Sequence, residues 1–343
     1  CLKPAETLCL VRLSDGGGDA VEVREFDTAR KAFVEGGFRF SSQKQNVDWL
    51  DRDTLIMGRD WNEDGKALTA SGYPYVVKIV RRGQPIGQAR EVFRGEPADV
   101  SARTTVLRGD GGKVDAIVAE RGLTFYDSDF FLLGDTAIKL PLPKKATIQA
   151  YVKGQLVFTL QQDWNGFKQG DLVSYDLAAL KADPAAAKAV LITRPGSRQA
   201  IDGVDATHGR VVVSLLEDVK SAIDVYDYQA GAWTRTRLAA LPRDSHLPIV
   251  ATADDSDQMF VDAESYLDPT GLWLADAASG KAEKIKSLPA RFDASHDQVD
   301  QYWATSTDGT KIPYFVVRPK GGRLDGSTPT LMFGYGGFQV SYT

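Results

Sequence analysis

Cysteine is almost missing from these 343 residues; there are two, Cys1 and Cys9, both at the start. So small a number excludes a disulfide framework, and no Cys/His cluster has the spacing of a zinc site. The two thiols are expected to stay unbridged, one as a strand residue and one as a terminal residue without a role. Long hydrophobic runs are missing as well, since no apolar stretch approaches the roughly 18 residues that a membrane-spanning helix needs. The formal charge of -5 is mild and spread along the chain, with no basic stripe. That argues against a nucleic-acid footprint. Neither nucleic acid nor membrane is therefore expected as a partner, and no pattern asks for a cofactor or a metal ion.

An initiating Met is also lacking. A Cys at position 1 fits a mature lipoprotein, but a piece cut at both ends fits better, because the last residues also read as an interrupted domain. The compartment is expected to be cytoplasmic in preference to periplasmic.

Helical periodicity is scarce too. One short helix is expected around Leu177 to Val190, interrupted by Pro184. What the chain has instead is short strands punctuated by turns, such as AVEVREF (20–26), Tyr75 to Val80, Gln155 to Leu160 and Arg210 to Leu215. Several alternate apolar and polar residues as half-buried antiparallel strands do.

Six similar strand ends recur, in VEVREFDTARKAF, YVVKIVRRGQPI, FFLLGDTAIKLPL, LVSYDLAAL, IDVYDYQAGAW and LWLADAASGKAEKI. Their spacing of roughly 42 to 54 residues is the length of one four-stranded propeller blade. The expected fold is mostly β: a β-propeller of about six four-stranded blades over residues 1–290. After residue 291 the rhythm changes. Gln298 to Thr305 and Lys311 to Arg318 read as the arms of a hairpin turned at Asp308-Gly309. Thr330 to Phe333 then reads as a continuously apolar interior strand. Residues 291–343 are assigned to the first strands of a second, α/β domain.

The segment TSTDGTKIPYFVVRPKGGRLDGSTPTLMFGYGGF (305–338) has a DGTxIP hairpin, a PKG loop with LDG, and an apolar strand ending in GYGGF. In that order these elements closely resemble the start of the hydrolase domain of prolyl oligopeptidases. LSDGGGDAVEVREFD, WLDRDTL and LPARFDAS resemble bacterial members of the same family, so the likeness covers nearly the whole chain. It implies a seven-bladed propeller capping an α/β-hydrolase domain that cleaves short peptides after proline with a Ser-His-Asp triad. It also implies that Tyr335 donates its phenolic O–H to the oxyanion hole and that Phe338 lines the pocket for the substrate side chain. Acyl transfer places negative charge on a carbonyl oxygen, and a fixed O–H in a water-poor cleft can answer it. Read without the resemblance, the same stretch is a strand-to-loop turn with buried aromatics.

The GxSxG nucleophile elbow occurs nowhere in these residues, and family order would put serine, acid and histidine downstream of GYGGF. The 343 residues alone are therefore expected not to hydrolyse peptides, and the complete protein is expected to be a monomer. His208, His246 and His296 read as turn or surface residues. The string Asp244-Ser245-His246 is no triad, because triad members converge from separate loops. Asp254-Asp255-Ser256-Asp257 reads as an acidic blade turn, lacking the Gly and terminal Glu of a calcium loop. Gly16-Gly17-Gly18 reads as a hairpin connection, and the six tryptophans as blade packing.

Two other readings compete with the proline-specific peptidase. One is a stand-alone propeller serving as a binding or scaffold module, and the other an oligopeptidase preferring basic residues. An open set of six blades would expose apolar faces and an unpaired edge, so poor stability and aggregation are expected in isolation.

Overall fold

Alternating apolar and polar residues become antiparallel strands along almost the whole chain. The computed structural model describes residues 1–335. The first sheet has β1 (Leu8–Ser14) and β2 (Val21–Asp27), with β3 (Ala32–Phe33) and β4 (Arg39–Gln43) sharing the far edge of β2. Five sheets of four strands follow, each built from consecutive strands. The second holds β5 (Asn46–Asp51), β6 (Thr54–Gly58), β7 (Val76–Arg81) and β8 (Arg90–Arg94). The third holds β9 (Ser101–Arg108), β10 (Val114–Gly122), β11 (Ser128–Leu132) and β12 (Ile138–Lys139). In the fourth are β13 (Ala146–Val152), β14 (Gln155–Leu160), β15 (Leu172–Asp176) and β16 (Val190–Thr193). The fifth contains β17 (Gln199–Ala206), β18 (Arg210–Glu217), β19 (Lys220–Gln229) and β20 (Ala232–Arg237). The sixth is made of β21 (Ile249–Thr252), β22 (Gln258–Ala263), β23 (Gly271–Asp276) and β24 (Ala282–Ser287).

This succession of antiparallel sheets is the architecture of a β-propeller. In the last five sheets the recurring sequence unit falls on the third strand (β7, β11, β15, β19 and β23), and in the first sheet it falls on β2. Continuous apolar runs mark strands buried on both faces, as in β6, β14 and β18.

The chain divides into two compact units, Cys1–Leu191 and Ile192–Thr343. The first has two apolar cores, one around Trp49, Ile56 and Val77, the other around Phe130, Phe158 and Leu180. The core of the second gathers Val212, Ile223, Val225, Met259 and Val261.

The hairpin at Asp308-Gly309 forms as expected. β25 (Asp297–Thr305) pairs with β26 (Lys311–Pro319) over their full length, from Asp297 opposite Pro319 to Thr305 opposite Lys311. Ser306 N–H donates to Thr310 O and Gly309 N–H to Ser306 O. Gly309 adopts φ 87°, a left-handed conformation that glycine enters without Cβ strain.

Three local expectations need correction. The helix α1 is only Leu177–Ala182, capped by the Asp176 carboxylate, which accepts from Ala179 N–H at 2.8 Å. Asp183 is extended, as the residue before a proline tends to be, so the helix ends ahead of Pro184. Thr330 to Phe333 joins no strand, and Leu331 and Met332 are 96% and 93% exposed, because no described strand pairs with it. Cys1 and Cys9 are joined by a disulfide. Glu6 N–H donates to Leu2 O and Leu2 N–H to Leu8 O, folding the first residues back until the two thiols meet.

Candidate functional site

The hairpin leads into the segment that the sequence singled out. Its last turn is tied back, with Lys320 N–H donating to His296 O and Lys320 Nζ to Ser295 O, both at 2.7 Å. Arg318 Nε lies 2.8 Å from Asp300 Oδ2 across the two arms. Gln298 and Arg318 together hold the Asp300 carboxyl below the usual carboxylate range. Beyond this anchor the chain runs without strand pairing to Tyr335, which is 53% exposed. Phe338 lies outside the described residues.

The histidines sit apart in the sequence and are held by the turns around them. His208 N–H donates to Ser256 O, and its Nδ1 lies 2.9 Å from Asp254 O. His246 and Glu264 exchange backbone hydrogen bonds. In the string 244–246, the Asp244 carboxylate pairs with Lys220, and the Ser245 hydroxyl donates to Arg243 O at 3.2 Å. The string therefore forms no relay.

The acidic turn has a structural job. Asp257 Oδ1 accepts from Thr207 Oγ1 at 2.6 Å and from Gly209 N–H at 3.1 Å, while its Oδ2 pairs with Arg210. Among the described residues no group of three or more His, Cys, Asp or Glu side chains could hold a metal ion. Nor is any helix there long and apolar enough to cross a membrane. Trp49 and Trp61 are buried, and the Trp61 indole donates to Val76 O at 3.0 Å. Trp164 packs among Phe158, Phe167 and Tyr175. Trp303, on the hairpin, stays 41% exposed, so blade packing does not account for all six tryptophans.

One feature has no local signal in the sequence. Within Ile192–Thr343 a cavity of about 360 Å³ opens among the turn after β18, the segment before β21, the β22–β23 turn and the hairpin. Its wall includes Arg243, Tyr266, Leu267, Gln301 and Phe315. Gln301 Nε2 donates to Asp218 O at 2.6 Å, and the Tyr266 and Phe315 rings are 5.3 Å apart. Burial raises the Tyr266 phenol above its ordinary range, so it stays a neutral O–H.

Relatives place this architecture. The model of the prolyl oligopeptidase N-terminal β-propeller domain matches residues 2–288. An uncharacterized peptidase of Sinorhizobium fredii is 45% identical over 99% of this chain and 48% of its own length. Another, from Rickettsia prowazekii, is 28% identical over 96% of this chain and 48% of its own. The solved structure of a post-proline cleaving enzyme from Rickettsia typhi matches with a TM-score of 0.85 and 25% identity, over 97% of this chain and 50% of that one. The chain spans about half the length of these curated relatives. With a family model matched over most of its residues, the chain belongs to the prolyl oligopeptidase family.

Proposed function

We propose that this chain is the propeller and the first part of the peptidase domain of a serine peptidase that cleaves short peptides after proline. The observation that carries the reading is the likeness, at 25% identity and a TM-score of 0.85, to a post-proline cleaving enzyme. The propeller restricts access to short peptides. Residues 291–343 begin the α/β-hydrolase domain, a boundary supported by the end of the family match at residue 288. In the complete protein a serine attacks the carbonyl carbon of the proline residue. The C–N bond to the next residue breaks as its amine takes a proton and leaves, and water hydrolyses the acyl-enzyme to a peptide ending in proline. Tyr335 donates its O–H to the oxyanion, and Phe338 lines the substrate pocket. No GxSxG serine lies within residues 1–343, so they supply part of the oxyanion site and no nucleophile.

The test is hydrolysis of a proline chromogenic dipeptide and its arginine counterpart by the full-length protein, beside residues 1–343 alone. Cleavage of the proline substrate by the full-length protein only is expected. Preference for arginine would replace the proline reading with that of a basic-residue oligopeptidase. Turnover by residues 1–343 would overturn the assignment of the nucleophile.

A further inference from the structure

We propose that the cavity within Ile192–Thr343 binds the C-terminal carboxylate of a short peptide, with Arg243 as its anchor and Tyr266 and Phe315 as the wall for the last side chain. Two cations, Lys220 and Arg243, and three carboxylates, Asp244, Glu264 and Asp268, line the cavity. Of the two cations Arg243 is the one outside an ion pair among the described residues. Lys220 is engaged by Asp244. Asp268 accepts from the Ser265 hydroxyl at 2.9 Å and Glu264 from the Thr270 hydroxyl at 2.6 Å, bonds that build their own turn. The Arg243 guanidinium has neither an ion pair nor a side-chain hydrogen bond among the described residues, though it lines the cavity.

A planar guanidinium matches a carboxylate in a two-point fork, and it does so best where a concave wall limits water. The paired rings of Tyr266 and Phe315 offer an apolar surface beside it. A volume of about 360 Å³ suits the last one or two residues of a peptide rather than a long segment.

The choice of peptide rests on the proposed function. Cleavage after proline leaves products with a new proline carboxyl terminus, whose compact ring and carboxylate fit this wall and anchor. A ligand here touches both the blade turns and the hairpin, so it would tie the two together.

Titration calorimetry on the full-length protein, its nucleophile blocked by a serine-directed fluorophosphonate, tests the site. The probes are a short peptide ending in a free proline carboxylate and the same peptide amidated. The free acid is expected to bind about ten- to a hundredfold more tightly than the amide. Arg243→Ala should abolish that difference, Arg243→Lys should keep part of it, and both variants should melt at the parent temperature. Equal binding of acid and amide, no binding of either, or a difference that survives Arg243→Ala would overturn the proposal. The readout is binding rather than turnover, so a protein that fails to cleave after proline could still show the carboxylate effect. Conversely, normal cleavage without that effect sinks only this site.

Discussion

Arg82 lays its guanidinium against the buried carboxylate of Glu25, with Nη1 2.7 Å from Oε2 and Nη2 3.1 Å from Oε1. Glu25 sits on β2 and Arg82 just after β7, so the pair ties the first sheet to the second. Phe38 N–H also donates to Glu25 Oε2 at 2.8 Å, and the Arg82 guanidinium lies over the Phe38 ring, 4.4 Å from its centroid. Removing the cation leaves a desolvated carboxylate with too few donors. Arg82→Ala should cost about 3 kcal/mol of stability, measured by urea unfolding. A loss below about 1 kcal/mol would class the pair with ordinary surface ion pairs.

Asp257 gathers a hydroxyl and a backbone amide from the β17–β18 turn and a guanidinium from the first residue of β18. Its carboxylate is thus already engaged by protein groups. Asp257→Ala should lose about 2 kcal/mol, because it strands polar groups that now have a partner. Calcium or a chelator should leave the melting temperature of the parent protein where it is. A rise with calcium would restore the cation reading of this turn.

Two carboxylates of the fifth sheet should respond to acid with opposite signs. Arg237 hydrogen-bonds Glu217 and holds its carboxyl below the ordinary value. Its stabilisation is present above the unfolded value, about 4.3, and is lost as pH falls through the lower folded one. Burial instead raises the Asp205 carboxyl. Folding then favours its protonated form, so its contribution is present in acid and is lost as pH rises through the raised value. Glu217→Gln should melt below the parent at pH 7, with the gap closing in acid. Asp205→Asn should melt above the parent at pH 7, and its gap should also close in acid. Melting curves from pH 3 to 7 check both, and gaps that do not change with pH would refute the two assignments.

The blades were legible because burial imposes a pattern. VVVSLL is continuous where β18 is covered on both faces, and the IDVYDY unit marks the third strand of the same sheet. Asp308-Gly309 announced its hairpin because few residues accept the left-handed conformation that the turn requires. The Cys1–Cys9 bridge escaped because nothing local announces the turn that folds Cys1 back. The cavity escaped for a different reason: Arg243, Tyr266 and Phe315 come from three separate segments, and only tertiary packing assembles them. Tyr335 was singled out by its motif alone.

Tyr335 carries the chemical prediction. It lies beyond the anchored hairpin, and Gly334 and Gly336 flank it in the sequence. A phenol in the oxyanion hole acts mainly when charge develops on the carbonyl oxygen, so its loss should fall on turnover more than on substrate binding. In the full-length protein, Tyr335→Phe removes one hydroxyl and keeps the ring. The variant should lower kcat by about a hundredfold or more, with KM nearly unchanged. Steady-state kinetics on a proline chromogenic dipeptide measure this, with the melting temperature of the variant as a control on folding. An unaltered kcat in a folded variant would remove Tyr335 from the oxyanion hole, and a rise in KM alone would move it to ground-state binding.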